Sequence, residues 1–170
     1  MSILFINGSP NKEGNTARLA EKLLAGKEYK SLHLVDYRLY SYGQKFEDDQ
    51  FAEIVDAMER AEVIVIGSPV YWHNMSGSVR NLLDRFYGPV SQGALSGRKF
   101  VFLFQGAAPE KWMLEKAEYT MSRFARMYGI MEGLFFLWIP GITVGTHLGA
   151  CSLHGTAIST RIRQWRSRIT

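Results

Sequence analysis

The residues whose spacing indicates chemistry most clearly form loop one, the segment Gly8–Thr16, which directly follows the apolar run Ile3–Ile6. A buried strand that gives way to a helix near Thr16 leaves backbone N–H groups unpaired at the start of that helix, among hydroxyl and amide side chains. Such a loop binds an anion, and a phosphate suits it. The spacing matches neither the Walker loop nor the Gly-x-Gly-x-x-Gly fingerprint, and Lys12 is followed by Glu13, so ATP-type chemistry is not expected.

A second segment with candidate binding residues, loop two, spans Gly67–Gly77 behind the apolar run Val63–Ile66. Between a strand and a helix it places two large aromatics, a histidine and an amide, which are Tyr71, Trp72, His73 and Asn74. If the two strands are neighbours, loop two lies beside loop one, and the pair suits a flat heteroaromatic ligand with a phosphate tail. Aromatic side chains would cover the ring, Asn74 would bond its polar edge, and Pro69 would fix the direction of the chain.

Each loop also has a purely structural interpretation. Loop one can be an ordinary strand-to-helix turn in which Ser9 and Asn15 act only as cap residues. Loop two can be a plug of aromatics in which Tyr71 and Trp72 pack under the next helix. The occurrence of both loops at strand ends, where doubly wound sheets bind their ligands, favours a cofactor site.

The elements that must position these loops alternate along the chain, because apolar runs suited to buried parallel strands are separated by amphipathic helices. Strands are expected at Ile3–Ile6, Leu32–Val35, Val63–Ile66, Phe100–Phe104 and Leu134–Trp138. Helices are expected around the apolar stripes of Thr16–Leu24, Phe51–Met58, Val79–Phe86, Trp112–Tyr128 and Ile158–Ile169. With no linker or composition shift, this alternation predicts one doubly wound α/β domain over residues 1–170. A third loop, Gln105–Pro109, follows the fourth strand.

Composition and charge narrow the class of protein. Hydrophobic residues make up 46% and charged residues 21% of the chain, as in ordinary soluble globular proteins. The formal net charge is +4. The last ten residues contain enough arginines to supply this excess, namely Arg161, Arg163, Arg166 and Arg168. We expect a solvated helix face there rather than a nucleic-acid surface, because no aromatics interleave with them.

Neither export nor metal binding is indicated by the sequence. No basic leader or long apolar run follows Met1, and the single Cys151 permits no intramolecular disulfide, so a cytoplasmic location is expected. His33 and His154 lack spaced partner ligands, so no metal site is expected.

Together the two loops resemble the NAD(P)H-dependent FMN reductase family of the flavodoxin-like superfamily. The likeness rests on Gly8-Ser9-Pro10 with Gly14-Asn15-Thr16, and on Gly67-Ser68-Pro69-Val70-Tyr71-Trp72 with Leu82-Leu83-Asp84-Arg85. It implies a flavodoxin-like, five-stranded parallel sheet in the order 2-1-3-4-5, with helices on both faces.

The resemblance also implies the residues that bind FMN. Those expected to bind its phosphate are Ser9, Asn11, Gly14, Asn15 and Thr16. Those expected to line its isoalloxazine ring are Pro69, Val70, Tyr71, Trp72, Asn74 and, in the third loop, Gly106. His73 is a further candidate, and three places are open to it: facing the flavin, bonding a neighbouring subunit, or lying in solvent.

The implied activity is that of an oxidoreductase with noncovalent FMN. It takes a hydride from NADH or NADPH and passes two electrons, by ping-pong kinetics, to a quinone, a nitro or azo compound, or free flavin. No side chain need act as a general acid or base. A homodimer is implied, and neither nucleic acid nor a membrane is an expected partner. Some relatives carry a cysteine cluster after the second strand, but Tyr37–Glu47 contains no cysteine, which excludes an iron–sulfur centre there.

Two competing functions remain open at this point. One is a flavodoxin-type electron carrier without nicotinamide turnover. The pI of about 9.2 and the small size of the acidic cluster Glu47–Asp49 speak against it, because such carriers usually present an acidic face. The other is a non-catalytic binding module, which steady oxidation of NAD(P)H with an added quinone would exclude.

Overall fold

A central sheet of parallel strands organises the computed structural model of the chain, which describes residues 1–107, 110–130 and 134–140. Its strands are β1 (Ile3–Asn7), β2 (Lys30–His33), β3 (Val63–Tyr71), β4 (Asn74–Met75), β5 (Lys99–Gly106) and β6 (Leu134–Pro140). The parallel strands lie in the order β2-β1-β3-β5-β6, while the short β4 pairs antiparallel with the end of β3. Apart from β4, this is the predicted order 2-1-3-4-5.

Helices cover both faces of the sheet because successive strand residues point to opposite sides. The α-helices of the described residues are α1 (Asn15–Leu24), α2 (Phe51–Arg60), α3 (Gly77–Phe86) and α4 (Lys111–Met127). Ile3 and Phe5 of β1 pack with α1 on one face, whereas Leu4 and Ile6 face the larger core that contains α2, α3 and α4. The predicted doubly wound α/β fold is therefore confirmed.

The second strand differs from its predicted bounds. Leu32–Val35 was expected to be the strand, but β2 covers Lys30–His33 and a 3₁₀ turn follows at Leu34–Asp36. The reason is the length of the neighbouring strand: β1 ends at Asn7, which pairs with His33, so the next residues have no strand to bond.

Several predicted features lie outside the described residues. These are the helix at Ile158–Ile169, its arginines, Cys151, His154 and Pro109. The single domain over residues 1–170 stays a prediction for this reason. Among the described residues no helix is both long and apolar enough to span a bilayer.

Candidate functional site

Side chains of loop one give the loop its shape. The Asn7 Oδ1 atom accepts a hydrogen bond from the Ser9 backbone N–H at 3.0 Å. Ser9 Oγ accepts from the Asn11 N–H at 3.1 Å, and Asn11 Oδ1 accepts from the Glu13 N–H at 3.0 Å. Each of these local turns fixes the backbone two residues ahead, so loop one is folded by its own side chains together with that of Asn7, the last residue of β1.

The first turn of α1 is open to an anion. Its N-cap is Gly14, which has no side chain to bond the N–H groups of Asn15 and Thr16 at the start of the helix. A Cβ atom on Gly14 would lie 3.1 Å from Asn11 Cβ and Cγ, so this glycine admits the close approach of the Asn11 side chain. Within the part of the chain that the structure describes, the helix start therefore presents N–H donors that no protein group accepts.

Thr16 adds an unsatisfied hydroxyl to this helix start. Only 1% of the residue is exposed, and within the described part of the chain its Oγ1 has no hydrogen-bond partner. Its Cγ2 methyl packs toward β3, where a Cβ atom on Gly67 would lie 2.6 Å away. Because a buried hydroxyl without a partner is costly, an anion oxygen beside Thr16 would satisfy it. Loop one thus fits the phosphate of FMN.

Gly8 joins loop one to loop two. Its N–H donates to the Gly67 carbonyl at 2.8 Å, and its own carbonyl accepts from the hydroxyls of Ser76 and Ser78, each at 2.8 Å. A Cβ atom on Gly8 would lie 2.2 Å from Val79 Cγ2, so only glycine fits between the two loops. The expected adjacency of the two loops is thereby confirmed, whereas the Gly8 junction itself was not foreseen.

Loop two forms a β-hairpin rather than the single strand-to-helix connection that its sequence indicated. Tyr71 pairs with Asn74, which leaves Trp72 and His73 at the tip with φ values of +47° and +62°. Two successive positive φ angles are typical of a type I′ turn, which favours Asn-Gly because larger residues are strained there. Loop two therefore holds an aromatic and an imidazole in a conformation that neither prefers.

The exposure of the hairpin contradicts the interpretation of loop two as a core plug. Trp72 is 93% exposed and Tyr71 is 47% exposed, so neither packs under the next helix. Pro69 is buried and Val70 is half-buried, and both lie within β3. Tyr71 and Trp72 are therefore available to a ligand at this edge of the sheet.

His73 and Trp112 bring loop two close to the start of α4. Their ring centroids are 5.8 Å apart, and Trp112 Nε1 donates to Glu110 Oε2 at 2.8 Å. His73 is exposed and lies beside Trp112 of its own chain, while a contact with the flavin or with a neighbouring subunit stays a prediction. Trp112 is half-exposed and was not among the predicted site residues, and the one signal for it in the sequence is its position shortly after the third loop. We call Trp72, His73 and Trp112 the aromatic rim.

The third loop begins beside the hairpin. Gly106 is the buried last residue of β5, and its neighbour Gln105 is paired with Pro69 of β3. Of the residues that follow, 108–109 lie outside the described residues. All the predicted ring residues therefore share one edge of the sheet with loop one, while their contacts with a cofactor stay a prediction.

Arg85 fixes the segment between β2 and α2 against α3. Its guanidinium makes a bidentate pair with Asp49, donates to the Tyr40 carbonyl at 2.9 Å, and lies 4.7 Å from the Phe51 ring centroid. Burial of Asp49 opposes ionisation, but hydrogen bonds from Arg85 and the Phe51 N–H outweigh it and lower the pKa of the carboxyl. Arg85 thus has a structural role that its motif did not reveal.

Comparison with known proteins decides the family. The sequence profile of NADPH-dependent FMN reductase matches residues 1–136 of the chain. The chain belongs to the NADPH-dependent FMN reductase family. The predicted resemblance is confirmed, and so is FMN as the cofactor that membership of this family implies.

Relatives and solved structures extend this finding. An iron–sulfur flavoprotein of Archaeoglobus fulgidus is 37% identical over 98 residues, which are 50% of this chain and 48% of that protein. The chain spans about half the length of this and another curated relative. An FMN-dependent NADH-azoreductase from Bacillus anthracis, in complex with FMN, has a TM-score of 0.73 at 14% identity, with 99% of each chain covered.

A second structure has a similar fold. It is an NAD(P)H:quinone oxidoreductase from Methanothermobacter marburgensis, with a TM-score of 0.67 at 14% identity, covering 100% of this chain and 98% of that one. At these identities the two likenesses show the fold alone. The Archaeoglobus relative is named for an iron–sulfur centre, whereas these 170 residues hold a single cysteine, too few for a cluster with four cysteine ligands.

Proposed function

We propose that the protein is an FMN-dependent NAD(P)H oxidoreductase that passes two electrons to a small acceptor. The observation that carries the proposal is the junction at Gly8, whose backbone bonds both to Gly67 and to Ser76 and Ser78. Because of this junction, loop one and the hairpin of loop two lie side by side, which is the arrangement that a single phosphorylated flavin requires. Membership of the FMN reductase family supports the same conclusion.

The residues of loop one would hold the FMN phosphate. The donors are the N–H groups at the start of α1 and the hydroxyl of Thr16, which lacks a protein partner in the described chain. The ring would lie against the hairpin and Gly106, with hydrogen bonds from their backbone and from Asn74. When bound, FMN supplies the hydride chemistry, so the side chains of the site bind and orient rather than transfer protons.

The exposed aromatic rim would position the acceptor. Trp72 and Trp112 offer flat apolar faces beside the ring site, which favours planar acceptors such as quinones, azo or nitro compounds, and flavins. An azoreductase and a quinone oxidoreductase share the fold, which supports this class. A homodimer in the cytoplasm is part of the proposal: family resemblance supports the dimer, and the single cysteine agrees with a reducing compartment.

Anaerobic reduction tests the proposal directly. The purified protein, reconstituted with FMN and freed of excess, is expected to be yellow, to lose its flavin absorbance with NADH or NADPH, and to regain it when a quinone or azo dye is added. A protein that retains no FMN would contradict the proposal. One that retains FMN but is not reduced by either nicotinamide would instead be a flavodoxin-type carrier.

A further inference from the structure

Asn7 is a fully buried amide at the point where β1 becomes loop one, with 0% of its surface exposed. Its Oδ1 atom accepts from the Ser9 N–H at 3.0 Å, and its Nδ2 atom donates to the Asn11 carbonyl at 3.4 Å. The same Nδ2 lies 3.1 Å from His33 Nδ1 on β2. One side chain therefore connects two backbone positions of loop one to the neighbouring strand.

The direction of the contact with His33 follows from the other bonds of the amide. Because Oδ1 faces the Ser9 N–H, the group that faces His33 is the NH₂ donor. His33 Nδ1 must then be the acceptor, which places the proton of the neutral ring on Nε2. His33 is half-buried and pairs with Asn7 in the sheet, so the strand register brings the two side chains together.

A second contact joins loop one to the same region. Lys12 Nζ lies 2.6 Å from Asp36 Oδ1 in the turn that follows β2. Both side chains are about half-exposed, so this ion pair adds little stability by itself. Loop one is thus supported from the β2 side at two points, of which the buried Asn7 contact is the stronger constraint.

We propose that Asn7 is a positioning residue for the phosphate loop and that His33 holds the Asn7 amide in place. The inference rests on the proposed function, in that loop one binds the FMN phosphate. Without the amide, the Ser9 N–H and the Asn11 carbonyl lose their partner, and the loop must be ordered again each time the phosphate binds. Preorganisation of this kind contributes to affinity for the phosphate but not for the flavin ring.

The test compares FMN with riboflavin, which has the same ring but no phosphate. Dissociation constants for both are measured by flavin fluorescence titration on the apoprotein. In Asn7→Leu we expect FMN affinity to fall about tenfold and riboflavin affinity to change less than about twofold. The matched control is Asn81→Leu, since Asn81 Nδ2 also bonds backbone carbonyls, those of Leu39 and Tyr40, but away from loop one; it should leave the ratio of the two constants unchanged.

The partner of Asn7 provides an independent variant. His33→Leu removes the acceptor and should lower the affinity for FMN relative to riboflavin about threefold. His33→Gln retains an acceptor oxygen and should keep most of the wild-type preference for FMN over riboflavin. If Asn7→Leu does not fold, this pair carries the test by itself.

The remaining outcomes contradict either the role of Asn7 or the proposed function. Equal weakening of FMN and riboflavin binding, or an unchanged ratio in the variants, overturns the inference. A wild-type protein that binds both flavins equally contradicts the proposed phosphate site and hence the proposed function.

Discussion

The carbonyl oxygen of Gly8 accepts a hydrogen bond from the Ser76 hydroxyl at 2.8 Å, between residues 68 positions apart in the sequence. Ser76 is also the N-cap of α3, where its hydroxyl accepts from the Val79 N–H. The start of the helix behind loop two is therefore bonded to the start of loop one. A change at this contact should affect stability and cofactor binding together.

Gly8→Ala is expected to lower both the free energy of unfolding and the affinity for FMN. The new methyl group would lie 2.2 Å from Val79 Cγ2 and 2.9 Å from the Gly67 carbonyl oxygen, and the backbone oxygen cannot easily move. We expect a loss of about 1–3 kcal/mol by urea unfolding, as for other overpacked sites. Gly77→Ala is the control, because a Cβ atom there meets nothing within 4 Å; equal losses in both variants would refute the role of the junction.

Thr16→Val should separate binding from stability. Valine has nearly the same shape, and the hydroxyl that it replaces is buried without a protein partner in the described chain. The apoprotein should be as stable as the wild type or slightly more so, while FMN affinity falls about tenfold or more, since a hydrogen bond to a charged phosphate is lost.

Thermal unfolding of the Thr16→Val apoprotein and FMN titration measure the two effects. Thr120→Val on α4, whose hydroxyl bonds the Lys116 carbonyl, should leave FMN binding unchanged. Unaltered FMN affinity in Thr16→Val would remove this hydroxyl from the site.

Replacing the hairpin tip should stabilise the protein and impair turnover. Trp72 and His73 both have positive φ angles, and the double variant Trp72→Asn with His73→Gly supplies the residues that such a turn prefers. We expect the free energy of unfolding to rise by about 1–3 kcal/mol. The kcat/KM for a quinone acceptor should fall, because the aromatic rim loses two of its three members. A variant that is more stable and equally active would show that the rim does not position the acceptor.

Acid should weaken the Asp49–Arg85 contact. The pKa of Asp49 is lowered below its ordinary value of 3.8, since hydrogen bonds from Arg85 and the backbone outweigh the opposing effect of burial. A carboxyl whose pKa is lower in the folded state than in the unfolded state contributes its full stabilisation at pH values above the unfolded-state pKa. This stabilisation is lost as the pH falls through the folded-state pKa.

Urea unfolding over an acidic pH series measures this contribution of Asp49. The Asp49→Asn variant should be less stable at neutral pH. It should also lack the decrease in the free energy of unfolding that the wild type shows as Asp49 becomes protonated. Asp48→Asn, which alters a more exposed pair with Arg38, should retain it. Identical pH profiles for the wild type and Asp49→Asn would contradict the assignment.

Local patterns in the sequence were sufficient for the general architecture. Apolar runs and helical stripes predicted the β1, β3 and β5 cores and the faces of α1–α4, because burial on a sheet imposes a period of two or 3.6 residues. The same patterns located loops one and two at strand ends, and their residue types indicated a phosphate and a flat ring.

Only the tertiary structure decided how these parts meet. The hairpin tip could not be predicted because Trp72-His73 lacks the Asn-Gly signal of such turns, and its positive φ angles are imposed by the pairing of Tyr71 with Asn74. The contact of Asn7 with His33 joins residues 26 positions apart, and it depends on the register of two strands. Long-range contacts of this kind leave no local periodicity, so the shape of the site became evident only when the sheet was assembled.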